Sequence, residues 1–511
     1  LAAAHANLMA GDPGRARILV ERAMAQLDDP LDRAQARRLE GRIQLALGEP
    51  DEAPSILLEA ARAFEPLDSR LARETLLSGL EASLYARQFA KEGPLDLARA
   101  ARAAPGVSDG EATASDLLLD GFATWLTEGY AAGVPLLRRA ITALRSEDLD
   151  AYEGLHRLGL GVLAAAALLD DEGAHVLATR WVRLARDQVA LSVLPIALAH
   201  LANFGEIPAG QLAAAEASLA EAHEISAATE NRGLTGSSEL LLLAWRGREN
   251  DARRVAASVT REAQEHGVPA DIAFVQHALS VLELGLGNYE AAMACGLQLF
   301  EDDSPFIGTQ TLPGLVEAAV RAGRPDVAAQ VLERLSERAT ASGTELALGL
   351  LARSRALVAS EAEPLYRQAI AHLERSRSDA HQARGHLLYG EWLRRRRRRR
   401  DARAELRTAH EMLDSIGAEA FAERARVELL ATGERARRRS AETLDELTPQ
   451  EERIARLAGE GASNQEIATQ LFISSSTVAY HLRKVFRKLN VTSRSHLARA
   501  IPGERDGAAP R

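Results

Sequence analysis

Lysine is almost missing from this 511-residue chain: among 62 Lys and Arg residues only Lys91, Lys484 and Lys488 are lysine. None follows a glycine loop able to cradle phosphate, and no G-x-x-x-x-G-K-[ST] occurs, so no nucleotide site of that kind is expected here. Cysteine is reduced to Cys295, which excludes an internal disulfide and fits a reducing cytoplasm. Its Ala-rich helical surroundings make it a packing residue rather than a reactive thiol. The 13 histidines are scattered, with no His-x-x-x-His beside a Glu and no paired cysteine, so no metal, no cofactor and no enzymatic activity is expected. The longest apolar run, Leu158 to Leu169, is too short to span a bilayer and reads as a packed helix. A basic, apolar leader is missing at the start, as is an initiator Met, so the chain is expected to begin inside a longer protein.

Aromatic residues make up only 4% of the chain and strand-like alternation is nearly absent. Ala, Leu, Arg and Glu dominate, which predicts an all-α protein. A Gly followed five positions later by an Ala recurs as Gly11/Ala16, Gly48/Ala53, Gly93/Ala98, Gly173/Ala178, Gly210/Ala215, Gly247/Ala252, Gly287/Ala292 and Gly323/Ala328, with a weaker copy at Arg397/Ala402. The gap between Gly93 and Gly173 has Gly129 near its middle. Gly ends one helix, a few polar residues turn the chain, and Ala lets the next helix cross close to the first. Each unit is then a helical hairpin whose apolar face only its neighbours can cover, and the set builds a superhelix with a concave surface. An irregular helical domain with coincidental Gly and Ala is the alternative.

The positive charge is concentrated at the other end. From Ser474 to Ile501 there are six Lys or Arg (Arg483, Lys484, Arg487, Lys488, Arg494, Arg499) and no acid, so with the whole chain at −10 the remainder carries −16. Within 447–501 the helix punctuation is dense. Thr448, Pro449 and Glu451 open a first helix as a capping box, and Gly461 stops it. Ser463 and Glu466 repeat the box for a second helix with Ile467, Ala468 and Leu471 inward, and Ser474 caps a third. On that third helix Val478, Leu482, Val485 and Leu489 form one buried stripe, so Ser476, Tyr480, Arg483, Lys484 and Arg487 point to solvent. His481 flanks the stripe and reads as a packing and capping residue. Basic donors and an aromatic gathered on one helix face suit a polyanion. A protein-docking module with a hydrated basic face is the alternative.

These residues resemble the LuxR-type helix-turn-helix domain, carried by Leu447, Thr448, Glu451, Ala458, Gly461, Ser463, Asn464, Ile467, Ala468, Leu471, Ser474, Thr477, Val478, His481, Leu482, Lys488, Leu489 and Arg494. The resemblance implies a four-helix domain whose third helix enters the major groove. It assigns base-edge contact to Tyr480 and Arg483 and backbone contact to Ser476, Thr477, Lys484, Arg487 and Lys488. Ala479 stands where many relatives place Lys, so their preferred sites do not carry over. The hairpins resemble tetratricopeptide repeats, best in LELGLGNYEAAMACGLQLF and VRAGRPDVAAQVLERL. The stretch 347–433 looks like the end of the helical region in large ATP-binding, MalT-like LuxR regulators, whose ATPase part is absent from these residues.

The expected organisation is therefore a tetratricopeptide-like helical repeat region over 1–430, a polar linker over 431–446, a LuxR-type helix-turn-helix domain over 447–501 and a flexible tail over 502–511. The run Arg394 to Arg400 should cover a helix end and the turn after it, hydrated and complementing the helix dipole. Accessory contact with DNA phosphates or with another subunit's acidic repeats is its alternative use. The function expected is that of a cytoplasmic transcription regulator, without membrane contact, that binds double-stranded promoter DNA as a homodimer. A protein, peptide or small-molecule effector would sit in the solenoid groove, and RNA polymerase is a further candidate partner. The rival reading is an interaction scaffold with a terminal dimerisation domain.

Overall fold

The computed structural model describes residues 1–47, 49, 51–86, 91–105, 112–146, 151–229, 237–266, 269–433, 449–459, 461–471 and 474–488. Among them are 26 α-helices, one π-helical stretch and no strand. The chain divides into two compact units, Leu1–Glu434 and Arg435–Arg511.

In the first unit consecutive helices pack on each other, from Ala2–Met9 on Pro13–Met24 to Arg399–Ile416 on Glu419–Ala431. Alternate helices also touch: Ser69–Ala86 meets Ala114–Glu128, which meets Ala151–Ala167, and Pro269–Leu286 meets Gly308–Arg321, which meets Glu345–Val358. First helices of successive hairpins thus form an inner row and second helices an outer one, the arrangement of a tetratricopeptide-like α-solenoid. The Leu158 to Leu169 run lies mostly in the buried helix Ala151–Ala167. No helix of the described residues is long and apolar enough to cross a membrane.

Five of the recurring glycines close their helices with the same turn chemistry. At Gly11, Gly210, Gly247, Gly287 and Gly323 the backbone is left-handed, with φ of +86°, +71°, +69°, +79° and +72°. The amide of each glycine reaches back three residues and the next amide five, as in Gly323 N to Val320 O at 3.3 Å and Arg324 N to Ala319 O at 2.9 Å. This pair of bonds satisfies carbonyls that the helix end would leave unmatched. The Ala five residues on is buried every time: Ala16, Ala215, Ala292 and Ala328 are 0% exposed and Ala252 is 1%. The weak copy behaves alike, since Arg397 has φ +62° and Ala402 is 0% exposed.

Two positions differ from the sequence expectation. Gly173 does not make a turn; Leu169 does, with φ +53° and Ala174 five residues on. Gly173 sits in the first turn of Asp171–Asp187, where its amide donates to Asp170 Oδ1 at 2.9 Å. The reason is that the turn is imposed by the bonds of Leu169 N to Ala166 O and Asp170 N to Ala165 O, and a leucine can adopt it at a strain cost. Gly93 likewise starts a helix: its backbone is extended, with φ −79°, and its amide donates to Asp96 Oδ2 at 3.1 Å. Gly48 lies outside the described residues.

The arginine run does span a helix end at Arg395 and a helix start at Arg399. It is mostly exposed, as expected: Arg395, Arg396, Arg397, Arg399 and Arg400 all face solvent, and Arg394 and Arg398 are half-buried. Arg394 pairs with Glu428, Arg396 Nη2 donates to Ser360 O at 2.9 Å, and Arg398 pairs with Glu363 at 2.5 Å and Asp401 at 2.7 Å. Neighbouring hairpins supply Glu428, Ser360 and Glu363, so Arg394, Arg396 and Arg398 also help to hold the stack together.

Contacts distant in sequence join the winding to itself. Thr344 Oγ1 donates to Leu169 O at 2.8 Å, Arg377 N donates to Asp171 Oδ2 at 2.7 Å, and Ala380 N donates to Pro208 O at 3.2 Å. The same unit holds a buried ionic cluster. Arg384 reaches Glu317 at 2.6 Å, Arg424 reaches Glu317 at 2.8 Å and Glu391 at 2.7 Å, and Arg321 also pairs with Glu391. Burial alone would raise Glu317, but Arg424, Arg384, Arg321 and Arg353 outweigh it and hold the carboxyl well below its usual range. Cys295 is a free thiol pushed upward by burial and by Glu283, which fits packing rather than reactivity.

Two measurements test this account. Gly323→Ala has open space around the new methyl, so its cost is the left-handed backbone alone, about 1 kcal/mol. Arg397→Gly should instead stabilise by up to about 1 kcal/mol. Urea midpoints for both variants should move in opposite directions; shifts of the same sign reject the turn assignment. The second concerns acid. Burial pushes His200 down to about 4, and burial with the Arg384 charge does the same to His277. An unfolded histidine takes its proton near pH 6.5 or so, so stability should fall as pH drops from there towards the folded values. Each site contributes at most about 1.4 kcal/mol per pH unit at mid-window. His200→Gln should flatten the slope near pH 5 by that amount, and an unchanged slope would remove His200 from the explanation.

Candidate nucleic-acid interface

The second unit describes three helices, Pro449–Gly459, Asn464–Leu471 and Ser475–Lys488. Their shared core is Ile454, Ala455, Ala458, Ile467, Ala468, Val478, Leu482 and Val485. All eight recur at helical spacing, so three short amphipathic helices, none stable alone, bury one another's stripes. Gly461 closes the first helix with φ +98°, its amide bonding Ala458 O at 3.2 Å and that of Ala462 bonding Leu457 O at 3.0 Å. The second helix carries the expected reciprocal box: Ser463 N donates to Glu466 Oε2 at 2.7 Å and Glu466 N to Ser463 Oγ at 3.3 Å. Thr448, Leu489 and the fourth helix expected from the resemblance lie outside the described residues.

The third helix begins at a hydroxyl pair. Thr477 N donates to Ser474 Oγ at 3.0 Å, and the two hydroxyls lie 2.7 Å apart. Opposite the buried stripe, Thr477, Tyr480, Arg483 and Lys484 follow at steps of three, three and one, on one side of the helix. Arg483 is exposed, and Lys484 Nζ lies 4.7 Å from the centre of the Tyr480 ring. That contact orders a flexible ammonium against an aromatic face. The side chains of Ser476, Arg487 and Lys488 lie outside the described residues.

His481 packs against Tyr480, with ring centres 5.4 Å apart at 69°. Partial burial pushes it below its ordinary value, with Glu451 and Lys484 pulling in opposite directions. It makes no capping bond among the described residues, so only the packing half of its expected role is met. Arg453 on the first helix is exposed and adds a cation that the third-helix pattern did not reveal. Thr469, also exposed, turns its hydroxyl back to Gln465 O at 2.9 Å.

Among the described residues no group of three His, Cys, Asp or Glu could hold a metal ion. Gly106, Ser108 and Gly110 stand at the Gly-x-Ser-x-Gly spacing of a nucleophile elbow. That elbow needs a strand leading into a helix. No strand occurs among the described residues, and 106–110 are not among them.

Comparison with known proteins bears on this second unit. Residues 445–501 match the family model for bacterial regulatory proteins of the luxR family. A nitrate/nitrite response regulator protein homolog of Haemophilus influenzae is 53% identical over 51 residues, which is 10% of this chain and 24% of that protein. A putative HTH-type transcriptional regulator of Mycobacterium tuberculosis is 46% identical over 61 residues, 12% of this chain and 7% of its own length. The HTH-type transcriptional regulator AlkS of Pseudomonas putida is 39% identical over 72 residues, 14% of this chain and 8% of its own. This chain therefore spans a quarter or less of each of these relatives, and it ends in a LuxR-type helix-turn-helix domain. The crystal structure of the apo form of RapI covers 78% of this chain and 99% of its own length at 13% identity, with a TM-score of 0.30, too low to carry any equivalence.

The division of the third helix into a structural and a solvent face can be measured directly. Leu482→Ala removes a buried side chain and should lower local opening free energy by about 2–4 kcal/mol, whereas exposed Arg483→Ala should change it by less than about 0.5. Hydrogen exchange of the amides across the three helices in the full chain reads both. Similar loss of protection in the two variants would contradict the assignment of faces.

Proposed function

We propose that this protein is a transcription regulator, not an enzyme, in which the LuxR-type domain binds double-stranded promoter DNA and the helical repeats receive a signal or partner. The observation that carries the reading is the solvent face of the third helix: a hydroxyl pair at its start, an aromatic ring with a lysine over it, and an exposed arginine, set against a stripe buried in the other two helices. A helix so built can enter a major groove. Arg483 and Tyr480 would meet base edges, where a guanidinium fork discriminates guanine from the other bases. Thr477 and Lys484, with Ser476, Arg487 and Lys488, would hold the phosphates.

A homodimer would place two such helices on half-sites about one helical turn, roughly 34 Å, apart. RNA polymerase is the partner such a dimer would engage at a promoter, and the compartment is the cytoplasm. The repeat region would belong with that of the large ATP-binding, MalT-like LuxR regulators, to which 347–433 is similar. Its winding would present the signal to the linker, and a ligand shifts the DNA-binding unit only by favouring one arrangement of the chain over another.

Arg483→Ala should cut discrimination between preferred and random duplexes by about 1–3 kcal/mol. Lys484→Ala should weaken every duplex alike and reduce the salt slope of binding by about one. Competition titrations of the full chain over a range of salt measure both. The same profile in the two variants would overturn the division of roles, and no salt-dependent duplex affinity at all would favour an interaction scaffold.

A further inference from the structure

A cavity of about 70 Å³ lies inside the repeat unit, where distant turns of the winding meet. Its walls are mainly apolar, with Leu169, Phe204, Ile207, Leu241, Val281 and Leu350 among them. Three polar residues on the same walls each keep a buried atom without a hydrogen-bond partner among the described residues: Arg353 Nη2, His381 Nδ1 and Asn203 Oδ1. Unmatched buried polar atoms are uncommon and costly, and three on one small cavity mark a place with missing partners.

Arg353 matters most. It is 1% exposed, and among the described residues it makes one bond, from Nη1 to His381 O at 3.3 Å, and no ion pair. The ionic cluster beside it has four guanidinium groups, Arg321, Arg353, Arg384 and Arg424, against two carboxylates, Glu317 and Glu391, a surplus of two positive charges. Burial and the Arg384 charge push Arg353 down to about 9, which still leaves it charged at neutral pH. The two acids on the cavity wall are committed elsewhere. Asp170 Oδ1 accepts from Gly173 N at 2.9 Å, and Asp171 Oδ2 accepts from Arg377 N at 2.7 Å and from Ser378 Oγ at 3.4 Å. His277 and His381 are held neutral by burial and by the neighbouring arginines, so they add no charge.

The local backbone is adapted around the same space. The helix Leu194–His200 continues as a π-helical stretch, Leu201–Glu206, which carries Asn203 and Phe204 on the cavity wall. A widened turn costs hydrogen-bond geometry and tends to persist where it places side chains for use. Opposite it, the helix Gly308–Arg321 contains Pro313, also on the wall, which removes one backbone hydrogen bond from the helix interior.

We propose that this cavity binds a small monocarboxylic acid, its carboxylate on the Arg353 guanidinium, its short apolar body against Leu169, Val281 and Leu350, and any second polar group at Asn203 or His381. This deepens the reading that the repeats receive a signal and rests on it. At about 10–15 Å³ for each water-sized centre, the space holds roughly five to seven such positions, the size of a four-carbon acid. Because it lies where successive turns dock, an occupant would favour the closed winding.

The probes are butyrate, 2-hydroxybutyrate and the neutral butyramide at matched ionic strength, titrated by calorimetry and thermal shift into the full chain. Either acid should bind and raise the unfolding temperature, with butyramide about tenfold or more weaker, since hydrogen bonds to a charged group are the stronger kind. Arg353→Met should lose the preference for acid over amide. Equal effects of acid and amide, stabilisation by chloride to the same extent, no binding of either acid, or butyrate affinity unchanged in Arg353→Met would each overturn the proposal. Should Arg353→Met fail to fold, the acid-to-amide ratio of the unaltered protein decides alone. Duplex binding by the same preparation without acid separates the two claims: DNA bound with no acid uptake removes the cavity's ligand, and acid uptake with no DNA bound removes the regulator.

Discussion

The carboxylate of Glu317 holds the repeat unit in register. It is 1% exposed and is gripped by Arg384 and Arg424, which stand on two other helices 67 and 107 residues away. Ala- and Leu-rich helices can slide past one another with modest changes in apolar contact. A guanidinium fork on a carboxylate at 2.6 Å is met in one docking register only. Such a cluster adds little net stability over an apolar equivalent, yet removal of one partner leaves a buried charge unmatched at about 3–5 kcal/mol. The packing of distant turns and the cavity between them depend on those pairs being made.

Arginine is the chain's main cation in both units, and lysine is rare. Arginine serves the repeats, where its planar fork joins hairpin to hairpin: Arg394 to Glu428, Arg398 to Glu363, Arg246 to Glu216, Arg186 to Glu221. Two of the three lysines lie on the last described helix of the second unit. A guanidinium fork suits a fixed carboxylate or a phosphate, whereas an ammonium on a flexible stem acts as a compact point charge.

What the sequence disclosed follows from how local each feature is. The box of Ser463 and Glu466, the cap at Ser474 and the stripe of Val478, Leu482 and Val485 need only neighbours within one or two turns, so spacing alone reveals them. The five-residue offset from left-handed turn to buried alanine was equally plain at Gly210 or Gly323. It was hidden at Leu169 because hydrogen bonds, not the residue type, impose the left-handed backbone there. The arginine run is exposed as its position at a helix end suggests, but its added bonds to Ser360, Glu363 and Glu428 were hidden because those partners come from neighbouring hairpins about 34 to 36 residues away. Arg353 gave no sign at all, since an arginine in a helix becomes unusual only once other turns have buried it.

The ties of Thr344 to Leu169 and of Arg377 to Asp171 span 175 and 206 residues, while the left-handed hairpin turns are closed by bonds three and five residues long. Hairpins of that kind close early and independently, and joining their distant turns requires the loss of a long loop's freedom. The walls of the cavity come from both sides of that junction. The cavity therefore exists only when those long-range ties are made, and it does not belong to any single hairpin.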